Sequence, residues 1–470
     1  MQKLLKSLAM CGALFAANAS AQTPAPVRPT PIPEAVQRTL DRLREQALVG
    51  DRAYEIVESL TTEVGARPAG SEAEARARDW AVAMLRAQRF SNVRVEPFTI
   101  PLWAPVREEA RVVSPSPQAL SIVALGGSPS TPEGGIEAEV VRFANLAMLE
   151  RAAPASVAGR IVFIDEGMAR TMDGSGYGAA VARRSGCAPL AQGMGAAACI
   201  IRSVGTDSHR FPHQGGNARQ RDGASLPNAA LSNPDADQLT RLLSRGPVRM
   251  HLLLETRMEE NAPSGNVIAE IRGRERPGEI VLIGAHLDSW TYGTGAIDDG
   301  AGVAIVTAAA RLIRDLPRRP RRTIRIVLFG AEETGVLGGA EYARAHAEEL
   351  PRHVLAWESD FGAGRIWRFR SRFGAGAAGH SQAIFRALAP LGVSVTDSTL
   401  ASGGPDMGAV RTAGVPVMDL GQNGLDYFDL HHTADDTLDK IEPAALRQNV
   451  AAWAIALYLA AEMNWDFRAE

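Results

Sequence analysis

One stretch of the sequence combines residue types that bind metal ions. In IGAHLDSWTYGTGAIDDG, residues 283–300, His286 and Asp288 stand two positions apart, directly after an apolar run. Residues i and i+2 of a strand face the same way, so the two side chains can lie together. The spacing fits a metal-binding histidine oriented by a carboxylate, and it also fits a polar strand end. Asp298 and Asp299, which follow, fit a metal ligand or a helix N-cap.

Further segments place the same residue types after strand-like runs. Glu332 and Glu333 follow IRIVLFG, Asp360 ends VLAWESD, and His431 and His432 come after VPVMDLG. In a mostly parallel sheet, sites form where the carboxyl ends of the strands meet. A single such residue is usually a cap or a surface charge, but all of them at one edge predict a metal site.

The donor set indicates which metals fit this site. Imidazole and carboxylate donors without thiolate suit catalytic zinc, with manganese or cobalt as substitutes. The donors outnumber the needs of one ion, which favours two ions about 3.5–4 Å apart bridged by a carboxylate. The sequence contains no HExxH motif, so the single-zinc protease arrangement is not supported.

The rest of the chain shows two different sequence patterns. After Asn266, apolar strands alternate with helices, which predicts an α/β fold with a mostly parallel sheet covered on both faces. Residues 110–255 contain short β-type runs separated by Gly, Pro and Ser turns, and we interpret them as a β-rich inserted domain. The α/β domain would then comprise residues 35–109 and 256–470. Within the insertion, His209 and His213 fit either substrate contacts or a solvated loop.

The motifs HLDSW, GAIDDGAG, FGAEETGVLGG, ESDFG and HHTADDT, in this order, resemble the co-catalytic dizinc exopeptidases. That family includes secreted bacterial aminopeptidases and, with the nearest resemblance, the plasma glutamate carboxypeptidase (carboxypeptidase Q) type. GARPAGSEAEARARDWAVAMLRAQ is similar to the family's N-terminal helix region. The 110–255 block resembles a protease-associated domain. The resemblance covers nearly the whole mature chain and implies a three-layer αβα zinc-peptidase fold.

The resemblance also implies a role for each motif residue. It assigns His286 and Asp360 to one zinc ion, Glu333 and His432 to the other, Asp298 as the bridge, Glu332 as general base and Asp288 as the group that orients His286. The peptide bond after the bridging aspartate is often cis in this family. His431 would instead line the pocket or polarise the substrate. The implied reaction is hydrolysis at a free N-terminus or within a dipeptide, by a water that the two zinc ions activate.

Specificity is harder to assign. The segments 401–408 and 421–427 are expected to form loops over the site. Within and beside them, Ser402, Asp406, Tyr427 and His431 are candidate substrate contacts. Whether the substrate is a longer peptide with a free amino terminus or a dipeptide stays open, as does the choice between monomer and homodimer.

The N-terminus predicts export. Lys3 and Lys6 precede the short apolar run 8–17, and Ala19-Ser20-Ala21 is a small-residue cleavage site, so residues 1–21 have the pattern of a signal peptide. The Pro-rich residues 22–34 indicate a linker. We therefore expect a periplasmic or secreted protein without a membrane span. The remaining cysteines, Cys187 and Cys199, fit a disulfide or two buried thiols.

Charge argues against other partners. The formal net charge of −3 favours neither nucleic acid nor a membrane surface, and the basic run 311–325 lacks interleaved aromatic residues. Two alternatives to a peptidase remain at this stage. A glutaminyl cyclase of the same fold would use one zinc ion. A receptor-like binding protein would carry a dead peptidase site.

Overall fold

The computed structural model describes residues 27–216, 226–396 and 401–470. The predicted signal peptide and residues 22–26 of the predicted linker lie outside the described residues. Residues 27–33 have no regular structure, and the first helix begins at Glu34.

The strands, in chain order, are β1 (Ser91–Ser114), β2 (Gln118–Leu120), β3 (Ile122–Ala124), β4 (Ile136–Phe143), β5 (Ile161–Ile164), β6 (Ala198–Arg202), β7 (Asn228–Leu231), β8 (Arg249–Ile271), β9 (Arg276–His286), β10 (Arg322–Phe329), β11 (His353–Glu358), β12 (Ile366–Arg372), β13 (Val395–Thr396) and β14 (Val417–Gln422).

The α-helices are α1 (Glu34–Val49), α2 (Arg52–Glu63), α3 (Glu72–Ala87), α4 (Leu146–Glu150), α5 (Ser175–Ala180), α6 (Ala182–Gly193), α7 (Asn233–Leu243), α8 (Ala301–Arg314), α9 (Leu337–Ala345), α10 (Ala378–Leu388), α11 (Gly408–Thr412), α12 (Tyr427–Leu430) and α13 (Pro443–Glu462). A single π-type turn, Ala296–Gly300, precedes α8.

All strands belong to one sheet, in the order β13-β12-β14-β11-β9-β10-β8-β4-β5-β6-β7-β3, with β1 paired to β8 and β2. The neighbours β14, β11, β9 and β10 run parallel, so their carboxyl ends share one edge. The predicted mixed α/β architecture with a mostly parallel sheet is therefore confirmed. All eight residues of β10 are buried, as expected for a parallel strand covered on both faces.

Helices cover both faces of this part of the sheet. On one face, α1, α2, α3, α8, α10 and α13 pack against alternate strand residues such as Val281, Ile283 and Ile326. On the other face, α9 and α11 pack against Leu282 and Val327. The alternation follows from the two-residue period of a strand. This part of the molecule has the three layers expected from the sequence.

The strands β3 to β7 are covered by separate apolar clusters, with α7 on one face and α4 and α6 on the other. A disulfide joins Cys187 in α6 to Cys199 in β6. The expected borders of the insertion, 109/110 and 255/256, fall inside β1 and β8, which pair with each other along most of their length. The division of the chain into a peptidase domain and an inserted protease-associated domain stays a prediction.

Across the three described ranges, every helix is too short or too polar to cross a bilayer.

Candidate active site

The carboxyl ends of the parallel strands bring the predicted ligands together. His286 is the last residue of β9, and Asp360 lies two residues beyond β11. The Nε2 atom of His286 lies 3.1 Å from Oδ1 of Asp298 and 3.5 Å from Oδ1 of Asp360. The Nε2 atom of His432 lies 3.2 Å from Oδ2 of Asp298 and 3.1 Å from Oε2 of Glu333.

These distances define two groups of ligand atoms that share Asp298. Three overlapping triplets have ligand atoms within 4.8 Å of one another: Asp298, His431 and His432; His286, Asp299 and Asp360; and His286, Asp298 and Glu333. The two oxygens of Asp298 face different histidines, which is the arrangement that a bridging carboxylate requires.

The site holds more negative charge than its own side chains can balance. Asp298 Oδ2 and Glu333 Oε1 are buried and have no hydrogen-bond partner among the described residues. Buried carboxylate oxygens without partners are costly unless a cation compensates them. The orphaned oxygens, with imidazole nitrogens beside them, therefore fit divalent metal ions of the zinc type.

The pKa values of the carboxyl groups reflect this crowding. Burial, and then the negative charges of Asp360 and Glu333, raise the pKa of Glu332 well above its usual value. Burial and the charge of Asp298 raise the pKa of Glu333 in the same way. For Asp298, burial acts upward, but the neighbouring imidazoles of His286 and His432 outweigh it and hold the pKa well below its usual value.

Backbone carbonyls orient two of the histidines. His286 Nδ1 donates to the carbonyl oxygen of Asp288 at 3.0 Å, and His432 Nδ1 donates to the carbonyl oxygen of Gln214 at 3.2 Å. In each ring, this leaves Nε2 as the free nitrogen that faces the carboxylates. His431 differs, because its Nδ1 has no partner among the described residues and its Nε2 lies 3.5 Å from Asp298 Oδ2. This contrast favours His432 over His431 as a ligand.

The Asp288 side chain acts mainly on another loop. Its two oxygens accept hydrogen bonds from the backbone N–H groups of Glu332, at 3.1 Å, and Glu333, at 3.2 Å. Its Oδ1 also lies 3.5 Å from His286 Nδ1. Asp288 therefore links the end of β9 to the loop after β10, in addition to contacting the histidine that the sequence associated with it.

The carboxylates of Asp299 and Asp436 both accept backbone N–H groups. Asp299 accepts from Gly302 at 3.0 Å and from His286 at 3.1 Å, so it caps the start of α8, which is the default role expected from the sequence. Asp436 accepts from Ile297 at 2.6 Å and from Asp298 at 3.2 Å. The Asp298–Asp299 peptide bond is cis, as the resemblance implies.

Several supporting residues were not identified from the sequence. The buried Arg67 donates to the carbonyl oxygens of Leu287, Thr294 and Gly295, across the loop that connects β9 to Asp298. Asp436 lies within the quoted motif HHTADDT, which is the one signal that could have identified it. For Arg67, the only signal was its place in the segment GARPAG, since the three carbonyl groups named above lie more than 200 residues away.

His213 is buried rather than solvated. Its Nδ1 donates to the carbonyl oxygen of His431 at 2.7 Å, and its Nε2 lies 2.6 Å from Oδ1 of Asp207. The backbone N–H of the next residue, Gln214, donates to the carbonyl oxygen of His432 at 3.0 Å. The loop from the 110–255 segment therefore supports the histidine pair from outside the ligand set.

A cavity of about 730 Å³ opens onto the ligand groups. Glu332, Tyr427 and His431 are among its lining residues. Ser402 lines a neighbouring cavity instead. Asp406 lines neither cavity, and its fully buried carboxylate accepts a hydrogen bond from the backbone of Gly339 at 2.6 Å. Of the four candidate substrate contacts, the structure thus brings two to the metal-facing cavity.

The class of protein follows from this fold and site together with the match to a family model. Residues 266–457 match the model of peptidase family M28. Over most of its length the chain is also similar to a curated member of the carboxypeptidase Q type, so it belongs to peptidase family M28. The resemblance to co-catalytic zinc exopeptidases is thereby confirmed.

Three relatives illustrate the match. Carboxypeptidase Q from Bos taurus is 32% identical over 430 residues, which are 91% of this chain and 89% of that protein. Aminopeptidase YwaD from Bacillus subtilis is 27% identical over 341 residues, covering 72% and 67%. The crystal structure of a peptidase M28 precursor from Shewanella amazonensis superposes with a TM-score of 0.89 at 47% identity, covering 93% and 98%.

Proposed function

We propose that this chain is an exported exopeptidase that uses two zinc ions to hydrolyse the peptide bond at a free N-terminus or within a dipeptide. Its membership of family M28 makes it a metallo-exopeptidase. The observation that carries the two-ion proposal is that Asp298 faces both ligand groups, with His286 at 3.1 Å and His432 at 3.2 Å.

His286 and Asp360 would hold one zinc ion, Glu333 and His432 the other, with Asp298 between them. Zinc, when bound, lowers the pKa of water toward neutrality and polarises a carbonyl group. Manganese or cobalt could replace it, because the same imidazole and carboxylate donors suit those ions.

Glu332 is the residue that moves the proton. Glu332 lines the cavity beside the ligand groups. The carboxylate that contacts His432 is that of the next residue, Glu333. Burial and the neighbouring carboxylates raise the pKa of Glu332, which is the direction that favours a group that both accepts and donates a proton. Glu332 accepts a proton from the attacking water and donates it to the amine that leaves.

The surrounding residues keep Glu332 and the ligands in place. Asp288 holds the backbone at Glu332 and Glu333, and Asp436 holds the backbone at Asp298. Both carboxylates are buried, so the two loops are fixed by hydrogen bonds that water does not reach. Positions fixed in this way lower the reorganisation needed during the reaction.

Export rests on the pattern of residues 1–21, and it places the enzyme in the periplasm or outside the cell. The disulfide between Cys187 and Cys199 supports this placement, because disulfides persist in oxidising compartments. N-terminal sequencing of the secreted protein tests export. We expect it to show cleavage after Ala21.

The function is tested with zinc-loaded protein and a panel of peptides that are free, N-blocked or C-blocked. We expect hydrolysis that a chelator abolishes and added zinc restores, with two zinc ions per chain. One zinc ion and cyclisation of N-terminal glutamine would instead indicate a glutaminyl cyclase. Binding without turnover of any peptide would indicate a receptor-like protein.

A further inference from the structure

Two polar side chains from the 110–255 segment reach the cavity opposite the ligand groups. Tyr177 in α5 and Arg184 in α6 line the same cavity as Glu332 and Glu333. Neither residue was singled out by its sequence pattern, and neither takes part in the metal-binding or proton-transfer roles described above.

Arg184 is a buried cation that pairs with no carboxylate of the described residues. Its side chain is 2% exposed, and its Nη1 donates to the hydroxyl oxygen of Tyr177 at 2.9 Å. Its Nε and Nη2 have no hydrogen-bond partner among the described residues. Gly215 packs closely on the guanidinium, since a Cβ added there would lie 2.8 Å from Nε.

The neighbouring Arg183 makes the contrast clear. It is equally buried, but its Nε and Nη2 donate to the carbonyl oxygens of Arg202, at 3.2 Å, and Ser203, at 3.0 Å. Two of the three guanidinium nitrogens of Arg183 thus bond to the fold, and its Nη1 lacks a partner, whereas two of the three nitrogens of Arg184 lack an acceptor among the described residues. A buried charge is costly unless it is paired, and the planar guanidinium is best matched by a carboxylate.

Tyr177 adds a second donor beside Arg184. Its hydroxyl oxygen accepts from Arg184, so its own proton remains available to another acceptor. Burial raises the pKa of Tyr177, which keeps this proton in place at neutral pH. The ring is stacked on Phe428 at 4.9 Å and meets His431 edge to face at 5.3 Å, so the hydroxyl is firmly positioned.

We propose that Arg184 and Tyr177 form a subsite for the free α-carboxylate of the substrate's C-terminal residue. These two side chains would then discriminate between a free and a blocked C-terminus. This inference rests on the proposed peptidase function and narrows it. The carboxylate belongs to the residue whose amine leaves, so Arg184 and Tyr177 hold the leaving group while Glu332 donates its proton to the amine.

The test measures kcat/KM of the zinc-loaded enzyme for leucyl-alanine and for leucyl-alaninamide. The ratio is the value for leucyl-alanine divided by the value for leucyl-alaninamide. Arg184→Gln should lower this ratio about 10- to 100-fold, because a charge-assisted hydrogen bond to the carboxylate is lost. Tyr177→Phe should lower it less, and Arg184→Lys should restore part of it, since lysine keeps the charge but not the planar fork. Arg183→Gln, which removes a charge one residue away, should leave the ratio as in the wild type.

An unchanged ratio in Arg184→Gln, or an equal fall in Arg183→Gln, would overturn the subsite while leaving the peptidase function in place. If the wild type cleaves neither substrate, the proposed function fails. In that case, calorimetric binding of leucyl-alanine to the zinc-loaded wild type and Arg184→Gln still decides the subsite. Binding at least 10-fold weaker in the variant supports it, and equal binding overturns it.

Discussion

The two ends of the central parallel strands both collect buried charges, but they balance them differently. At the carboxyl ends, Asp298, Glu333 and Asp360 crowd around two histidines, and some oxygens have no partner among the described residues. Near the amino ends, arginine pairs with the acids. Arg325 Nε lies 2.7 Å from Glu270 Oε1.

The amino-end network extends from that arginine through neutral and acidic groups. Arg325 Nη1 also lies 2.8 Å from Glu349 Oε2 and donates to the hydroxyl oxygen of Tyr342 at 3.1 Å. His346 lies 3.0 Å from the same oxygen of Glu349. Although burial acts upward, hydrogen bonding and charge attraction from Arg325 lower the pKa of Glu349 to about 2.

The opposite pKa shifts at the two ends show what each cluster is for. Glu349 is stabilised as a carboxylate by the fold itself, whereas Glu332 and Glu333 have pKa values raised well above normal. A cluster that its own residues neutralise contributes to stability. A cluster with excess negative charge needs cations that the chain does not supply. Such an imbalance is typical of a functional site.

The largest expected effect separates the two ends by activity. Glu332→Gln should lower kcat about 10²–10⁴-fold, because the residue that transfers the proton is lost. The zinc content, measured by atomic emission, should stay at the wild-type level. Glu349→Gln, the same change at the other end of the sheet, should keep kcat near that of the wild type. A Glu332→Gln enzyme with normal turnover would remove Glu332 from the role of base.

The second prediction concerns stability. Arg325→Met should lower the free energy of unfolding by about 3–5 kcal/mol, since it leaves Glu270 and Glu349 without their shared cation. Urea denaturation measures the loss. Arg38→Met removes an exposed pair with Glu34 and should change stability by less than about 1 kcal/mol. Similar small losses in both variants would mean that the amino-end network does not stabilise the fold.

The position of a ligand residue could be predicted where that residue lies at the end of a strand or a helix. His286 ends a strand, Glu333 and Asp360 follow strands, and Asp298 precedes a helix; parallel strands bring such positions to one edge. His432 lies two residues beyond α12. The motif resemblance then supplied their roles, and those roles stay predictions. The strand–helix alternation after Asn266 likewise predicted the sheet.

What escaped prediction depends on contacts between distant segments. His213 meets His431 across 218 residues, and Arg67 meets Leu287 across 220, so no local pattern marks either contact. No local pattern marks β1 as one 24-residue strand, because Pro97, Pro101 and Pro105 interrupt it. Much of β1 lies at a sheet edge, where proline's missing N–H is tolerated.

The third prediction uses pH at the amino end. Burial lowers the pKa of His353 to about 4, and its Nε2 accepts from the hydroxyl of Tyr342 at 2.8 Å. Unfolded histidine has a pKa of about 6.5, so the unfolded chain takes up the proton first as the pH falls. The free energy of unfolding should therefore be fully retained above pH 6.5 and decline by about 3 kcal/mol toward pH 4 through this residue.

The measurement is the difference in unfolding free energy between the wild type and His353→Gln, followed by urea denaturation from pH 7 to pH 4. The difference should shift in favour of the variant as the pH falls, because glutamine does not titrate. A difference that is constant over this range would show that His353 is not held neutral by the fold.

The smallest expected effect has the opposite sign to that of Arg325→Met. In metal-free protein, Glu333→Gln should raise the free energy of unfolding by about 1 kcal/mol, because it removes a buried charge that Asp298 repels. The same variant should gain less stability from added zinc than the wild type, since a ligand is lost. Thermal unfolding with chelator and with zinc gives both values. Destabilisation of the metal-free variant would mean that the fold itself balances the charge of Glu333, as Arg325 balances the charge of Glu349. In that case the two ends of the sheet would not differ in how they balance buried charge.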